Sequence, residues 1–136
     1  MERFKIEVET DGNSDIVNLT PELSRRLREI RGAGVVHLFV IGSTAGLTTL
    51  EFETGLVKHD VPATFQKLVP DDARYEHEAT WNDDNGHSHI RASLVGPSIT
   101  VPFADGKLLT GEYQQVVLID FDTGPRRRVV IATVLP

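Results

Sequence analysis

The stretch that decides the fold lies near the carboxyl end and reads ITVPFADGKLLTGEYQQVVLIDFDTGPRRRVVIATVL (residues 99–135). Three apolar runs rich in β-branched residues predict strands: residues 99–103, 115–121 and 128–135. Turn-forming residues at 104–107 predict a hairpin, and those at 122–125 turn the chain into the last strand. Successive strands joined by tight turns favour an antiparallel sheet at this end of the chain.

Further strands are predicted in the first half of the chain. Phe4, Ile6 and Val8 alternate with charged residues, which is typical of a strand with one wet face. Turn residues at 11–13 suggest that residues 16–19 return as its hairpin partner. Two more strands are predicted at residues 35–41 and 47–53, on either side of a small-residue interruption.

Helices are predicted between these strands. Thr20-Pro21 suits a helix start, the apolar spacing of Leu23, Leu27 and Ile30 gives one buried stripe, and Gly32 can end the helix. A second helix is expected from Asp60-Val61-Pro62 to Pro70, and a short third one over residues 87–94. No element is predicted for the polar residues 71–86. Strand pairs separated by helices indicate an α+β fold.

The composition limits the function. The chain has 136 residues, the usual size of one domain, so we expect a single domain over residues 1–136. With no cysteine, disulfides and thiolate metal sites are excluded. The net charge of −6 argues against a nucleic-acid partner, and no apolar run reaches the ~20 residues of a membrane span. The charged amino terminus lacks the pattern of a signal peptide, so we expect a cytoplasmic location.

A histidine cluster is the strongest candidate for chemistry. His77 precedes the block His87-Ser88-His89, and neutral imidazole is a common metal ligand. His-x-His directs both rings to one side on a strand, but on a helix the rings diverge by about 200°. A third ligand would come from His77 or from a carboxylate such as Glu51. The alternative, an ordinary polar loop beside Trp81, stays open.

Two further groups can bind anions. Residues 42–46, Gly-Ser-Thr-Ala-Gly, offer backbone N–H groups and the hydroxyls of Ser43 and Thr44. A bulge or a tight crossover between strands is sufficient to explain this segment on its own. The run Arg126-Arg127-Arg128 has guanidinium groups suited to oxyanions. For two of the three, charge balance with Asp120 and Asp122 at an exposed strand start is the preferred interpretation, and the third stays open.

The order of motifs along the chain resembles a known family. The motifs are Gly42-Ser43-Thr44-Ala45-Gly46-Leu47-Thr48-Thr49, Glu51, Tyr75-Glu76-His77, Asn85-Gly86-His87-Ser88-His89, Leu94-Val95-Gly96-Pro97-Ser98, Pro102-Phe103, Gln114-Gln115, Asp120-Phe121-Asp122 and Pro125-Arg126-Arg127-Arg128. This series is similar to the YjbQ family of small proteins, also named secondary thiamine-phosphate synthases. The resemblance covers nearly the whole chain after Gly34.

The resemblance implies a mainly antiparallel β-sandwich with two or three short helices, assembled as a homotrimer. It also implies a secondary activity that joins hydroxymethylpyrimidine diphosphate to thiazole phosphate. By similarity, the pocket residues are Glu51, Asp60, His77, Asn85, His87, His89, Ser98 and Gln114. Glu51, Asp60, Asn85 and Gln114 are expected to be catalytic, and Ser98 to contact an anionic substrate. The chain departs from the family pattern at Gly42-Ser43, Leu50 and Glu112-Tyr113.

Three functions therefore follow from the sequence. A thiamine-phosphate synthase needs a cation beside the departing diphosphate, and magnesium would prefer oxygen ligands. Imidazoles at His77, His87 and His89 instead select zinc or a similar metal, for a hydrolase or lyase of a small anionic substrate. In that enzyme Glu51 would be the general base. The anion clamp would come from Ser43, Thr44 or Arg91. The third function is a trimeric protein that binds a small molecule without catalysis.

Overall fold

Eight strands and four helices make up the computed structural model, which describes residues 1–136. The strands are β1 (Glu2–Thr10), β2 (Asp15–Asn18), β3 (Ala33–Ile41), β4 (Ala45–Glu51), β5 (Ser98–Ala104), β6 (Lys107–Leu108), β7 (Gln114–Asp120) and β8 (Arg126–Leu135). The helices are α1 (Thr20–Leu27), α2 (Val61–Leu68), α3 (Glu76–Trp81) and α4 (Gly86–Val95). A π-helical turn (Leu56–Asp60) leads directly into α2.

The strands form two antiparallel sheets. The larger sheet has the order β1-β8-β3-β5-β6, and the smaller one has the order β2-β7-β4. The α+β class and the mainly antiparallel sheets are as predicted. The helix count is higher than expected, because α3 lies in the segment for which no element was predicted.

The main core lies between the two sheets and is closed at one end by α1. Leu19, Leu23 and Leu27 are fully buried there, and Leu23 and Leu27 belong to the predicted apolar stripe. The third member, Ile30, is only partly buried, because α1 ends at Leu27 and does not reach Gly32 as expected. Thr20 does not cap α1 as expected. Its Oγ1 accepts a hydrogen bond from the backbone N–H of Val116 at 2.8 Å and ties the helix to β7 instead.

A second core explains why β7 is apolar along its whole length. Val116 and Leu118 face the larger sheet, whereas Val117 and Ile119 face the helical layer. Both faces of β7 are therefore buried, and a strand of this kind has no polar alternation. On the helical side, the rings of Phe65 and Phe121 meet edge to face at 4.8 Å. The molecule thus has three layers, and α4 lies on the outside of the smaller sheet.

The predicted hairpin between the first two strands is wrong. β1 pairs with β8, and β2 pairs with β7 in the other sheet. Gly12, Asn13 and Ser14 all have positive φ, and these three successive left-handed residues send the chain across to the second sheet. A Cβ at Gly12 would lie 2.5 Å from the carbonyl oxygen of Gly124, so the crossing also requires glycine there.

The turn at residues 122–125 also carries the chain from one sheet to the other. Residues 122–125 connect β7 in the smaller sheet to β8 in the larger one, so these strands do not pair. The turn predicted at residues 104–107 is present, but it pairs β5 with the short β6. The expected partner strand, β7, lies in the other sheet. Among the helices, none combines the length and the apolar character needed to cross a bilayer.

Candidate functional site

His77 and His89 meet at the junction of two helices. His77 lies on α3 and His89 on α4, and their ring centroids are 4.5 Å apart with the ring planes inclined by 45°. The two helices are joined by a tight turn in which Asn82 adopts a left-handed conformation, with φ of 54°. This turn folds α3 back towards α4, so two histidines twelve positions apart become neighbours.

Two carboxylates complete this cluster. Nδ1 of His77 lies 2.9 Å from Oδ1 of Asp83 and 3.9 Å from Oε1 of Glu78. The Asp83 contact lacks hydrogen-bond geometry, so the buried Nδ1 has no hydrogen-bond partner. The candidate donor atoms of the three residues lie within 4.8 Å of one another. One imidazole nitrogen with two carboxylates is a donor set that zinc and similar divalent cations accept.

Glu78 also holds the start of α4. Its Oε1 accepts the backbone N–H of Gly86 at 2.6 Å and satisfies one of the free donors at the helix start. A Cβ at Gly86 would lie 2.5 Å from that oxygen and 2.6 Å from the Cβ of Tyr75. The glycine of the Asn-Gly-His-Ser-His block therefore allows α3 and α4 to approach closely.

His87 lies apart from this pair. Because α4 is helical, His87 projects to a different side from His89, and its ring packs at 6.3 Å from the ring of Tyr75. Only 4% of His87 is exposed. Burial, together with the nearby positive charge of Arg91, lowers the pKa of His87 below its ordinary value. Of the three histidines predicted to bind a metal, the structure therefore brings His77 and His89 together. His87 lies outside this pair, and its lowered pKa favours the neutral imidazole.

A cavity of about 340 Å³ opens beside His89. Its other lining residues are small: Gly42, Ser43, Ala45, Ala92, Ser93 and Pro97. Gly42 has φ of 127°, and a Cβ there would lie 2.7 Å from Nη1 of Arg128, so the loop needs glycine to pass this guanidinium. Of the four residues predicted to bind an anion, Ser43 lies on the wall of this cavity.

Arg91 and Thr44 are committed to internal contacts. The Arg91 guanidinium donates to the carbonyl of Val69 at 3.0 and 2.8 Å, to Gln66 Oε1 at 2.9 Å and to Ser14 Oγ at 3.3 Å. It therefore caps the end of α2 and joins it to Ser14, the residue that precedes β2. Thr44 is buried and accepts from Nη2 of Arg128 at 2.6 Å. Neither side chain is free to act as the expected anion clamp.

The three consecutive arginines all face carboxylates. Arg128 forms a two-point contact with Asp120, with both N–O distances at 2.7 Å, and both side chains are almost fully buried. Arg126 pairs with Asp122 at 3.0 Å, and exposed Arg127 lies 3.9 Å from Glu9. The structure therefore favours charge balance as their role over phosphate binding.

The buried charges extend to the start of α4. Oδ2 of Asp122 accepts the hydroxyl of Thr44 at 2.9 Å, and its Oδ1 accepts the side-chain amide of Asn85 at 3.3 Å. Burial by itself would raise the pKa of Asp122, but hydrogen bonds from the Thr123 backbone and Thr44 outweigh it and lower the pKa. Asn85 therefore links α4 to the sandwich, and its buried Oδ1 has no partner.

The other expected site residues lie elsewhere on the chain. Glu51 ends β4 in register with Gln114, whose amide donates to Thr49 Oγ1 at 2.9 Å. Asp60 closes the π-helical turn and contacts Nδ1 of His59 at 2.9 Å on the surface. Ser98 begins β5 and is exposed. Within one chain, these residues do not line the cavity beside His89.

Sequence reasoning missed Glu78 and Asp83 as partners of His77. Their signal was the acidic residues on both sides of His77, within a segment to which no structure had been assigned. Glu78 and Asp83 follow His77 by one and six residues. With α3 and the turn after it in place, this spacing puts both carboxylates beside the His77 ring.

The fold and the cluster define a small sandwich protein with a histidine–carboxylate site at a helix junction. The chain matches the family described as UPF0047 protein YjbQ-like over residues 4–136, and it belongs to that family. A UPF0047 protein of Methanocaldococcus jannaschii is 34% identical over 126 residues, covering 92% of this chain and 88% of its own. Another, from Archaeoglobus fulgidus, is 34% identical and covers 97% and 100%.

Solved structures agree with this assignment. A hypothetical protein from Aeropyrum pernix K1 superposes with a TM-score of 0.89 at 26% identity, covering 99% of this chain and 98% of its own. An uncharacterized protein from Clostridium acetobutylicum gives 0.86 at 28% identity, covering 97% and 99%. These two proteins are described as hypothetical or uncharacterized. The comparison with them therefore supports the fold and the family but no particular activity.

Proposed function

We propose that the protein is a metal-dependent enzyme for small phosphorylated substrates and has secondary thiamine-phosphate synthase activity. In that reaction the thiazole nitrogen attacks the methylene carbon of hydroxymethylpyrimidine diphosphate. The carbon–oxygen bond breaks, and pyrophosphate leaves with its electron pair. The observation that carries the proposal is the pairing of His77 with His89 beside two carboxylates, at a cavity with small walls.

The donor set supports a divalent metal as the cofactor. His77, Glu78 and Asp83 would hold the ion, and the buried Nδ1 of His77, which has no hydrogen-bond partner, faces the Asp83 carboxylate at 2.9 Å. Zinc or a similar ion suits the nitrogen, and magnesium would rely on the two carboxylates. The ion would supply positive charge for the departing diphosphate, which no free arginine near His89 provides.

The remaining groups at the cavity have separate tasks. The hydroxyls of Ser43 and Ser93 can donate hydrogen bonds to phosphate oxygens, and the small walls leave room for a heterocycle. His89 stands between the cavity and the carboxylate cluster and can hold or release a proton at its imidazole. We assign it the role of proton carrier.

A metal-dependent hydrolase is the second candidate. It is favoured by the position of His89, because an imidazole between a cation site and a cavity can act as general base towards water. This role takes the place of Glu51 as the expected base, since Glu51 does not line the cavity.

Metal analysis and product detection test both candidates. We expect about one transition metal per purified chain, as in sites with mixed histidine and carboxylate ligands. Metal-loaded protein given hydroxymethylpyrimidine diphosphate and thiazole phosphate should form thiamine phosphate and pyrophosphate in equal amounts, and chelation should stop the reaction. Phosphate release from p-nitrophenyl phosphate without thiamine phosphate would support the hydrolase instead. Protein that binds metal but turns over neither substrate would contradict both candidates.

We also propose that the protein assembles as a homotrimer. The outer face of the larger sheet leaves Phe39 43% and Ile41 55% exposed, and they lie in register with Ile131 and Val129 of β8. A contiguous apolar patch in the middle of a sheet face supports burial against other copies. We expect light scattering to give three times the chain mass, or a multiple of it. The variant Phe39→Lys/Ile41→Lys should dissociate, and a wild-type monomer would contradict the proposal.

A further inference from the structure

β1 is an open edge of the larger sheet. It spans nine residues and pairs only with β8, because it is the terminal strand. One side of β1 therefore presents a row of backbone N–H and C=O groups that have no strand partner. Such an edge is a template for pairing with another strand.

The side chains of β1 are complementary to themselves. If a second β1 lies antiparallel with Ile6 facing Ile6, Arg3 stands opposite Glu9 and Lys5 opposite Glu7. These charged residues all lie on the outer face, since Phe4 and Ile6 are buried on the inner one. On that inner face the same register places Phe4 opposite Val8. Charges and apolar residues thus match on both faces at once.

The charges needed for this match are available. Lys5 and Glu7 form no ion pair within the chain, and Arg3 only donates to Thr133 Oγ1 at 3.3 Å. The Glu9 side chain is 83% exposed, and its single ionic contact, with Arg127, is long at 3.9 Å. The four side chains can therefore turn towards a neighbouring strand without loss of a strong internal contact.

Other registers are disfavoured by the same charges. A parallel pairing in register would place Arg3 opposite Arg3 and Glu9 opposite Glu9. An antiparallel slip of two residues places Lys5 opposite Lys5 or Glu7 opposite Glu7, depending on its direction. A slip of one residue would turn the apolar face outward. The sequence of β1 is thus specific for one antiparallel register with a copy of itself.

We propose that two copies of this chain join through β1, antiparallel and centred on Ile6, to form one continuous ten-stranded sheet. The contact is isologous, so each cross-strand ion pair occurs twice. It uses the strand edge, whereas the apolar patch around Phe39 lies on the sheet face. The two contacts are therefore independent. Two homotrimers joined through their β1 edges would form a hexamer, which is the multiple of three expected when both contacts are made.

Charge reversal on one half of the strand tests this pairing. Arg3→Glu/Lys5→Glu makes the strand wholly acidic, and Glu7→Lys/Glu9→Arg makes it wholly basic. We expect light scattering to give half the wild-type assembly mass for each variant alone, with at least a tenfold weaker association. An equimolar mixture should regain the full mass as a mixed pair, because every opposed charge then attracts. The matched control Lys58→Glu/Arg74→Glu changes exposed charges elsewhere and should keep the wild-type mass.

Salt gives a second readout. At about 1 M salt, where the Debye length is about 3 Å, the acidic and basic variants should differ much less from wild type. A wild-type assembly with an odd number of chains would overturn the proposal. Unchanged masses in both variants would also overturn it, as would failure of the mixture to pair.

Discussion

Arg128→Met is expected to lower the free energy of unfolding by about 3–5 kcal/mol, because it leaves the buried carboxylate of Asp120 without its partner. Asp120 is completely buried, and the guanidinium supplies two of its hydrogen bonds at 2.7 Å. Methionine fills a similar volume, so the loss reports the charge rather than a cavity. Chemical denaturation at neutral pH measures the difference.

The adjacent arginine provides a matched control. Arg127 has an exposed side chain, and its contact with Glu9 is long at 3.9 Å. Arg127→Met should therefore change the unfolding free energy by less than about 0.5 kcal/mol. Equal losses for the two variants would show that the Arg128–Asp120 pair has no special weight in the fold.

Acid should reduce this difference. Burial by itself would raise the pKa of Asp120, but hydrogen bonds from Arg128 and Thr10 outweigh it, so the folded-state pKa is lowered. In the wild type, the resulting stability is present above the unfolded pKa of about 4 and is lost as the pH falls through the lower folded value. In Arg128→Met the unpaired carboxyl has a raised pKa, so its protonation relieves the penalty. The two unfolding free energies should therefore converge as the pH falls.

His77→Ala is expected to weaken metal binding by roughly 100-fold or more, because it removes the only nitrogen donor of the carboxylate cluster. Asp83→Asn should have a smaller effect in the same direction, since a neutral amide oxygen replaces a charged ligand. Isothermal titration calorimetry with zinc measures the affinity of each variant. If the proposed function holds, turnover falls in the same order.

Two other histidines serve as controls. His59→Ala changes an exposed ring on the π-helical turn, and His87→Asn changes the ring that packs near Tyr75. Both variants should keep the metal affinity within about twofold of the wild type, as neither ring belongs to the cluster. A metal that depends on His87 and not on Asp83 would instead support the three-histidine site expected from the sequence.

The strands could be predicted well from local patterns, but their partners could not. Alternation, apolar runs and turn residues together located seven of the eight strands, all except the two-residue β6. The apolar run of β7 lacks alternation because both of its faces are buried. Pairing depended on backbone geometry at Gly12, Asn13 and Ser14, where three positive φ values send the chain across to the other sheet. Asn and Ser do not require that conformation, so turn composition alone suggested a hairpin.

The candidate site was predictable in part for a similar reason. Residue type and order drew attention to His77 and His89, and the helical interpretation of residues 87–94 separates His87 from His89. The carboxylates were missed because α3 has only six residues and buries none of them, so it leaves no apolar stripe in the sequence. Its position depends on the turn at Asn82 and on the hydrogen bond that the backbone N–H of Gly86 donates to Glu78.

The two imidazoles are anchored unequally. The start of α4 is fastened to the buried charges through Asn85 and Asp122, whereas α3 buries no residue. Separation of α3 from the rest of the molecule therefore costs little free energy, and His77 moves with it while His89 stays in place. A cation held by His77, Glu78 and Asp83 would stabilise α3 against this local opening. Slower amide hydrogen exchange in α3 would therefore report how much of the cation site is occupied.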